Sequence, residues 1–206
     1  MTNYYYTHNP DIVHAEKQWN FEIFDHQFKF TTDNGVFSKR TVDYGSRTLL
    51  SAFEPTDLPT GNILDLGTGY GPIGLALAYQ SPQRTVDMVD VNELALSLAR
   101  QNATLNQLTN VNVFTSDCYE QVTTTDYAAI VTNPPVRAGK TVVAAMLTGA
   151  LPHLVTGGTL TVVLQKKQGA PSAKKIMTAT FGNCTIIKKD KGYYILQSVK
   201  EGSLDR

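Results

Sequence analysis

The sequence predicts an α/β fold built on a mostly parallel sheet that ends in an antiparallel pair. Three observations predict it. From residue 61 onward, short apolar strand segments alternate with helical ones, a pattern that implies right-handed crossovers and parallel neighbours. A glycine-rich loop, Gly67–Gly74, joins the first of these strands to the first helix. The last two strand segments are separated only by Lys188–Gly192, too short for a helical crossover, so they are expected to pair antiparallel.

Taken in order, residues 20–31 (NFEIFDHQFKFT) alternate apolar and polar around a break at Asp25-His26-Gln27, the pattern of a hairpin of two short strands. Asp33-Asn34-Gly35 reads as a turn, and Ser46 to Phe53 as a short helix ending before Pro55. The buried strand NILDL (62–66) leads into the helix PIGLALAYQ (72–80), with proline in its first turn. TVDMVDV (85–91) is a strand, and NELALSLARQNATL (92–105) a helix with Asn92 as its N-cap. VNVFTS (111–116) and YAAIVTN (127–133) are the next strands, and residues 118–126 between them leave room for no more than a turn of helix. A helix from Thr141 to Leu151, the pair Gly157-Gly158, the strand TLTVVLQ (159–165), a helix over 170–180 and strands near 184–188 and 193–199 complete the pattern. The organisation expected is an N-terminal extension over 1–40, carrying the hairpin, packed on a domain over 41–206.

Composition narrows the class. A chain of 206 residues, 42% hydrophobic and 17% charged, suits one globular domain and excludes disordered and fibrous classes. No apolar run approaches the ~20 residues that span a bilayer, and the start MTNYYYTHNPDIVH lacks the basic and apolar regions of a secretory signal. Two cysteines, Cys118 and Cys184, make neither a disulfide framework nor a metal cluster, so a reducing, cytoplasmic setting is expected. The formal net charge is zero but unevenly spread: residues 1–100 carry 7 Lys/Arg against 12 Asp/Glu, and 101–206 carry 11 against 6. From Arg137 to Lys200 there are ten basic residues and one acidic, Asp190. This is either a solvated lysine-rich surface or a face for a polyanionic partner.

In the loop Asp65-Leu66-Gly67-Thr68-Gly69-Tyr70-Gly71-Pro72-Ile73-Gly74, Gly69, Gly71 and Gly74 satisfy the dinucleotide fingerprint G-x-G-x-x-G. A dinucleotide-dependent oxidoreductase is therefore the first rival. Two details argue against it. Asp65 ends the strand and gives D-x-G-x-G-x-G; a carboxylate there repels a pyrophosphate but suits the cationic amino group of a bound amino acid. The loop also lies about sixty residues into the chain, behind a hairpin and a helix. Asp90, 25 positions after Asp65, ends the next strand, where a carboxylate accepts hydrogen bonds from both ribose hydroxyls. Asp117 ends the third strand, placed to meet an adenine amino group. Three acids ending consecutive strands line one crevice. With Thr68, Val91 and Cys118 beside them, they predict a site for S-adenosylmethionine (SAM).

The fourth strand ends in Thr132-Asn133-Pro134-Pro135-Val136. A double proline is a hard stop and serves at least as a rigid strand-to-loop turn. Its position beside the donor loop gives it a second use. A planar nitrogen is a poor nucleophile because its lone pair is delocalised. The Asn133 side-chain oxygen and the Pro134 carbonyl can accept both of its N–H hydrogens, localising the lone pair towards the sulfonium methyl, while Pro134 and Pro135 fix the backbone. Such catalysis works by positioning and polarisation. It needs no metal or strong base, and His8, His14, His26 and His153 are scattered.

The glycine loop and its acids resemble the Rossmann-like class I SAM-dependent methyltransferases, over about residues 40–200; that resemblance implies a seven-stranded sheet whose last strand is antiparallel. N-P-P resembles the signature of adenine-N6, guanine-N2 and glutamine-N5 methyltransferases. Those acting on adenine or glutamine usually put an aromatic residue fourth, where this chain has Val136. Gly35-Val36-Phe37-Ser38, Asp43-Tyr44-Gly45-Ser46, the run Asn133–Lys140, Gln165-Lys166-Lys167-Gln168-Gly169-Ala170 and Lys191-Gly192-Tyr193-Tyr194 look like the methyltransferase small domain family. Its two-domain bacterial members carry a degenerate second half that these 206 residues do not contain, and commonly an aromatic and a histidine where Val136 and Arg137 stand. The chain thus resembles a short, single-domain branch.

The resemblance implies that Phe37 and Ser38 border the methyl donor and target, and that Asp43 and Gly45 support the SAM pocket. It gives Lys39, Arg40, Arg137, Lys140, Lys166 and Lys167 a role in holding RNA phosphates while a flipped base enters the pocket. The expected function is guanine-N2 methylation of small-subunit ribosomal RNA, in a ribosomal particle if naked RNA binds only modestly. Methylation of a protein glutamine or another amine, and a non-catalytic SAM-binding RNA assembly factor, stay open as rivals.

Overall fold

The structure, a computed structural model, describes residues 15–34 and 41–202. β1 (Lys17–Ile23) and β2 (His26–Thr32) form an antiparallel hairpin. Its turn is Phe24-Asp25, both residues at positive φ (54° and 56°), one position before the break expected from the sequence. A two-residue turn of this hand matches the twist of the flanking strands, which brings Ile23 opposite His26. α1 (Tyr44–Leu50) begins two residues before the expected Ser46, because the Asp43 carboxylate accepts the backbone N–H of Ser46 (3.1 Å) as the N-cap.

β3 (Asn62–Leu66), α2 (Pro72–Gln80), β4 (Val86–Asp90), α3 (Glu93–Leu105), β5 (Val111–Thr115) and β6 (Tyr127–Thr132) follow as the pattern predicts. α4 (Lys140–Thr148), β7 (Leu154–Gln165), α5 (Ala170–Phe181), β8 (Thr185–Asp190) and β9 (Tyr193–Val199) complete the chain. The seven-stranded sheet runs β5-β4-β3-β6-β7-β9-β8, parallel throughout except for β9, which is antiparallel to both β7 and β8. This is the Rossmann-like methyltransferase sheet. β7 starts five residues before the expected Thr159. It absorbs Gly157-Gly158 as a bulge, so that pairing slips from Tyr127↔Leu154 to Ala129↔Thr159. A Cβ on Gly158 would lie 2.9 Å from the Tyr127 carbonyl oxygen, so only glycine fits there.

β6 is buried at every position, as its unbroken apolar sequence requires when helices cover both faces. Ala129 and Val131 point to one core with Phe28, Phe30, Leu77 and Leu98; Ile130 points to the other with Leu147, Leu160 and Met177. The hairpin therefore shares a core with the sheet. It is also stitched to α3. The Asn102 side chain accepts from Thr31 N–H (2.6 Å) and donates to the carbonyls of Thr31 (3.1 Å) and Tyr70 (2.9 Å). Asn106, four residues on and so on the same helix face, does the same for Lys29 N–H (2.9 Å) and its carbonyl (2.7 Å). Strand order reverses between β3 and β6, and the crevice at that switch point is where α/β sheets bind ligands. Among the described residues no helix is long and apolar enough to cross a membrane.

Candidate active site

The glycine loop leaves β3 with Gly67, Gly69 and Gly71 at φ of 76°, 59° and 99°, a left-handed run that favours glycine. Gly74 is required by contact instead: a Cβ there would lie 2.7 Å from Met88 Cγ and 2.9 Å from Asp65 Oδ2. α2 thus sits directly on β4 and aims its first turn at the crevice. Asp65 is fully buried. Its Oδ2 accepts from Thr68 Oγ1 (2.6 Å) and Gly74 N–H (2.8 Å), while Oδ1 has no partner. Burial pushes the carboxyl up to about 7, against the opposing effect of those two hydrogen bonds. Asp65 braces the loop from behind rather than lining the cavity in front of it, which is where the sequence reading had put it.

In front lies a cavity of about 420 Å³ along the carboxyl ends of β3, β4, β5 and β6, within the usual range for small-molecule sites. Of the residues expected to hold the cofactor, Gly67, Thr68, Gly69, Asp90, Val91 and Asp117 line it, with Cys118. Asp90 is clamped: Oδ2 accepts from Gly69 N–H (2.9 Å) and Oδ1 from Asn92 N–H (2.9 Å). Burial raises its carboxyl pKa, and the N–H groups of Asn92, Gly69 and Val91 oppose the rise. Cys118 sits at φ 48°, and burial followed by the neighbouring Asp117 charge pushes its thiol up to about 11. It is a neutral wall and not a nucleophile.

Asn133, Pro134, Pro135, Val136 and Arg137 form the opposite wall. Asn133 Nδ2 donates to Asp43 Oδ1 (3.0 Å) and to Ser46 Oγ (3.0 Å). An NH₂ group facing a carboxylate fixes which way the amide points, so Oδ1 is the acceptor left to the cavity. Asp43, itself in the cavity lining, caps α1 and holds the Asn133 amide at once.

Gly45 and Gly71 stand outside the lining. A Cβ on Gly45 would meet Tyr193 Cε1 at 3.0 Å, and Tyr193 is a cavity residue whose hydroxyl accepts from Gln165 Nε2 (2.7 Å). Gln165 and Tyr193 were visible in the sequence only as parts of a pattern. The β7–β9 register pairs them at the carboxyl end of β7. Met146 comes from α4 with no sequence signal at all. Lys140 and Lys166 lie in an adjoining groove. Phe37, Ser38, Lys39 and Arg40 lie outside the described residues. Among the described residues no group of three His, Cys, Asp or Glu could hold a metal ion.

The sheet order, the glycine loop at the end of its first strand and the clamped acid ending the next define the class: this is a SAM-dependent methyltransferase. Residues 27–197 match the family model "Methyltransferase small domain", and the chain belongs to that family. It is 45% identical over 201 residues to the uncharacterized protein YbxB of Bacillus subtilis, covering 97% of this chain and 100% of that one. It is 31% identical over 200 residues to ribosomal RNA small subunit methyltransferase C of Vibrio cholerae, covering 94% of this chain and 56% of the relative. The T. thermophilus 16S rRNA N2 methyltransferase RsmC, solved with AdoMet and guanosine, superimposes with a TM-score of 0.81 at 26% identity, over 90% of this chain and 51% of that one. The chain thus spans about half the length of the methyltransferase C relatives it matches.

Proposed function

We propose that this chain transfers the methyl group of SAM to the exocyclic N2 of a guanine in small-subunit ribosomal RNA. The observation that carries the reading is Asn133, whose amide is held by Asp43 and Ser46 as an acceptor on the cavity wall. The donor set fits SAM: the carboxylates of Asp90 and Asp117 face the cavity, and the unpartnered Asp65 Oδ1 lies beneath the loop. These favour hydroxyls and a cationic amino-acid end and oppose a pyrophosphate. Asp90 accepts the ribose hydroxyls, and Asp117 with Cys118 meets the adenine. Bound SAM supplies an electrophilic methyl on a sulfonium. The Asn133 oxygen and the Pro134 carbonyl accept the two N–H hydrogens of the target, which localises its lone pair and aims it at that methyl. Val136 offers the base an apolar contact, and Arg137 a charge for its phosphate.

The relatives named ribosomal RNA small subunit methyltransferase C, and the guanosine held by the T. thermophilus enzyme, support guanine and ribosomal RNA as the target. Mass spectrometry of ribosomal RNA nucleosides from a deletion strain tests this, with loss of one N2-methylguanine expected. An unchanged level removes the ribosomal RNA assignment. Labelling of RNA and protein fractions with tritiated SAM separates it from methylation of a glutamine or another amine.

A further inference from the structure

A second groove, of about 640 Å³, opens beside the cavity, and the two share Val136, Leu164 and Gln168 in their walls. Its floor is apolar, from Val136, Val143, Leu164, Pro171 and Ile176. Its rim is cationic. Lys140 comes from the first turn of α4, and Lys166 and Lys167 from the single 3₁₀ turn that follows β7. All three lysines are exposed, and none pairs with a carboxylate among the described residues. The structure thereby divides cations that the sequence groups together. Arg137 lines the cavity, whereas the three lysines stand around the groove next door.

Three ammonium groups around one groove repel each other unless an anion lies between them. A lone inorganic anion would satisfy the charge but leave the apolar floor uncovered. A nucleotide satisfies both, with a flat base against the floor and phosphates at the rim. Continuity with the cavity decides which nucleotide it is, because a strand that delivers its target base past Val136 runs directly into this groove.

We propose that the groove holds the RNA nucleotide next to the methylated one, its base on Val143 and Ile176 and its phosphates on Lys140, Lys166 and Lys167. The proposal rests on the RNA reading above. Small ribosomal subunits and their extracted RNA, both from the deletion strain, serve as substrates for the wild type, for K140Q/K166Q/K167Q and for K140R/K166R/K167R. KM is measured over a range of KCl concentrations, and SAM affinity by calorimetry.

Three lost contacts to a single strand correspond to a log–log salt slope flatter by about 2. The glutamine variant is accordingly expected to raise KM at least about 10-fold at moderate salt, with SAM affinity within about twofold and KM restored by arginine. An unchanged KM and salt slope in the glutamine variant overturns the groove and leaves the RNA reading standing. Loss of SAM affinity overturns it too, since it would place the lysines at the cofactor. A wild type that labels neither substrate instead removes the RNA reading, and the groove assignment with it.

Discussion

Asn133 reaches its acceptor orientation through Asp43, ninety residues earlier in the chain, so the catalytic corner consists of two segments and not one. Asn133→Ala is expected to lower turnover about 100-fold or more, as for loss of one preorganised group, while calorimetric SAM affinity stays close to wild type. Asp43→Asn keeps the shape but lets the Asn133 amide turn over. It is expected to lower kcat about 10-fold, with part of the 100-fold loss above, and to leave SAM affinity nearly unchanged. A variant at full kcat would show that Asp43 only caps α1. Asn-Pro-Pro was legible in the sequence because no other triplet stops a strand so abruptly. Its orientation was not, because a hydrogen bond across 90 positions leaves no local pattern. Asp65 was legible as an acid, but its hold on Thr68 and Gly74 through Oδ2 was not. Its carboxyl titrates near 3.8 when unfolded and near 7 when folded, so between those values the folded state holds a proton that the unfolded state has released. Stability is therefore expected to fall as pH rises from about 4 to 7, by up to about 1.4 kcal/mol per pH unit, and then to level off. Asp65→Asn should flatten this dependence in urea titrations at pH 5 and pH 8.

The hairpin shows what element-level reading captures and what it omits. Alternation located both strands, and the turn was displaced by one residue because Phe24 carries none of the usual turn chemistry, yet is at positive φ. The partner of the hairpin was invisible, because Asn102 in α3 and Asn106 at its C-cap look like ordinary solvent-facing polar residues. Asn102 is in fact fully buried and spends its amide on the edge of β2 and on the carbonyl of Tyr70, inside the glycine loop. Removing it strands three buried backbone groups, so Asn102→Ala is expected to cost about 2–4 kcal/mol in urea unfolding. Asn106 bonds at an exposed position, and Asn106→Ala should cost under about 1 kcal/mol. Because one Asn102 bond ends on the loop, its variant should also weaken SAM binding, which Asn106→Ala should not. Equal effects of both variants on SAM affinity would sever the hairpin from the site.

At the scale of the molecule, strand–helix alternation made the sheet and its antiparallel end legible. The long reach of the core was not, since contacts between Phe28, Phe30 and the α2, α3 and sheet residues join segments that look separate along the chain. The sequence suggested an extension over 1–40 carried on a domain over 41–206. Packing argues that the hairpin and the sheet unfold together. Phe28 and Phe30 have no exposed surface, and each would forfeit about 3–5 kcal/mol if the hairpin left alone. The chain supplies its own probe, because its single tryptophan, Trp19, lies on β1. Its ring sits 5.1 Å from that of Phe30 and 6.1 Å from that of Tyr70, and its indole N–H donates to Thr32 Oγ1 (3.0 Å). Trp19 fluorescence therefore reports the hairpin, and far-ultraviolet circular dichroism reports the sheet and helices. The two signals are expected to share one urea midpoint. SAM at about 100 times its Kd should move both upward together by about 2.7 kcal/mol. A fluorescence transition at lower urea, unmoved by SAM, would make the hairpin a separate unit and leave the Asn102 link without mechanical consequence for the site.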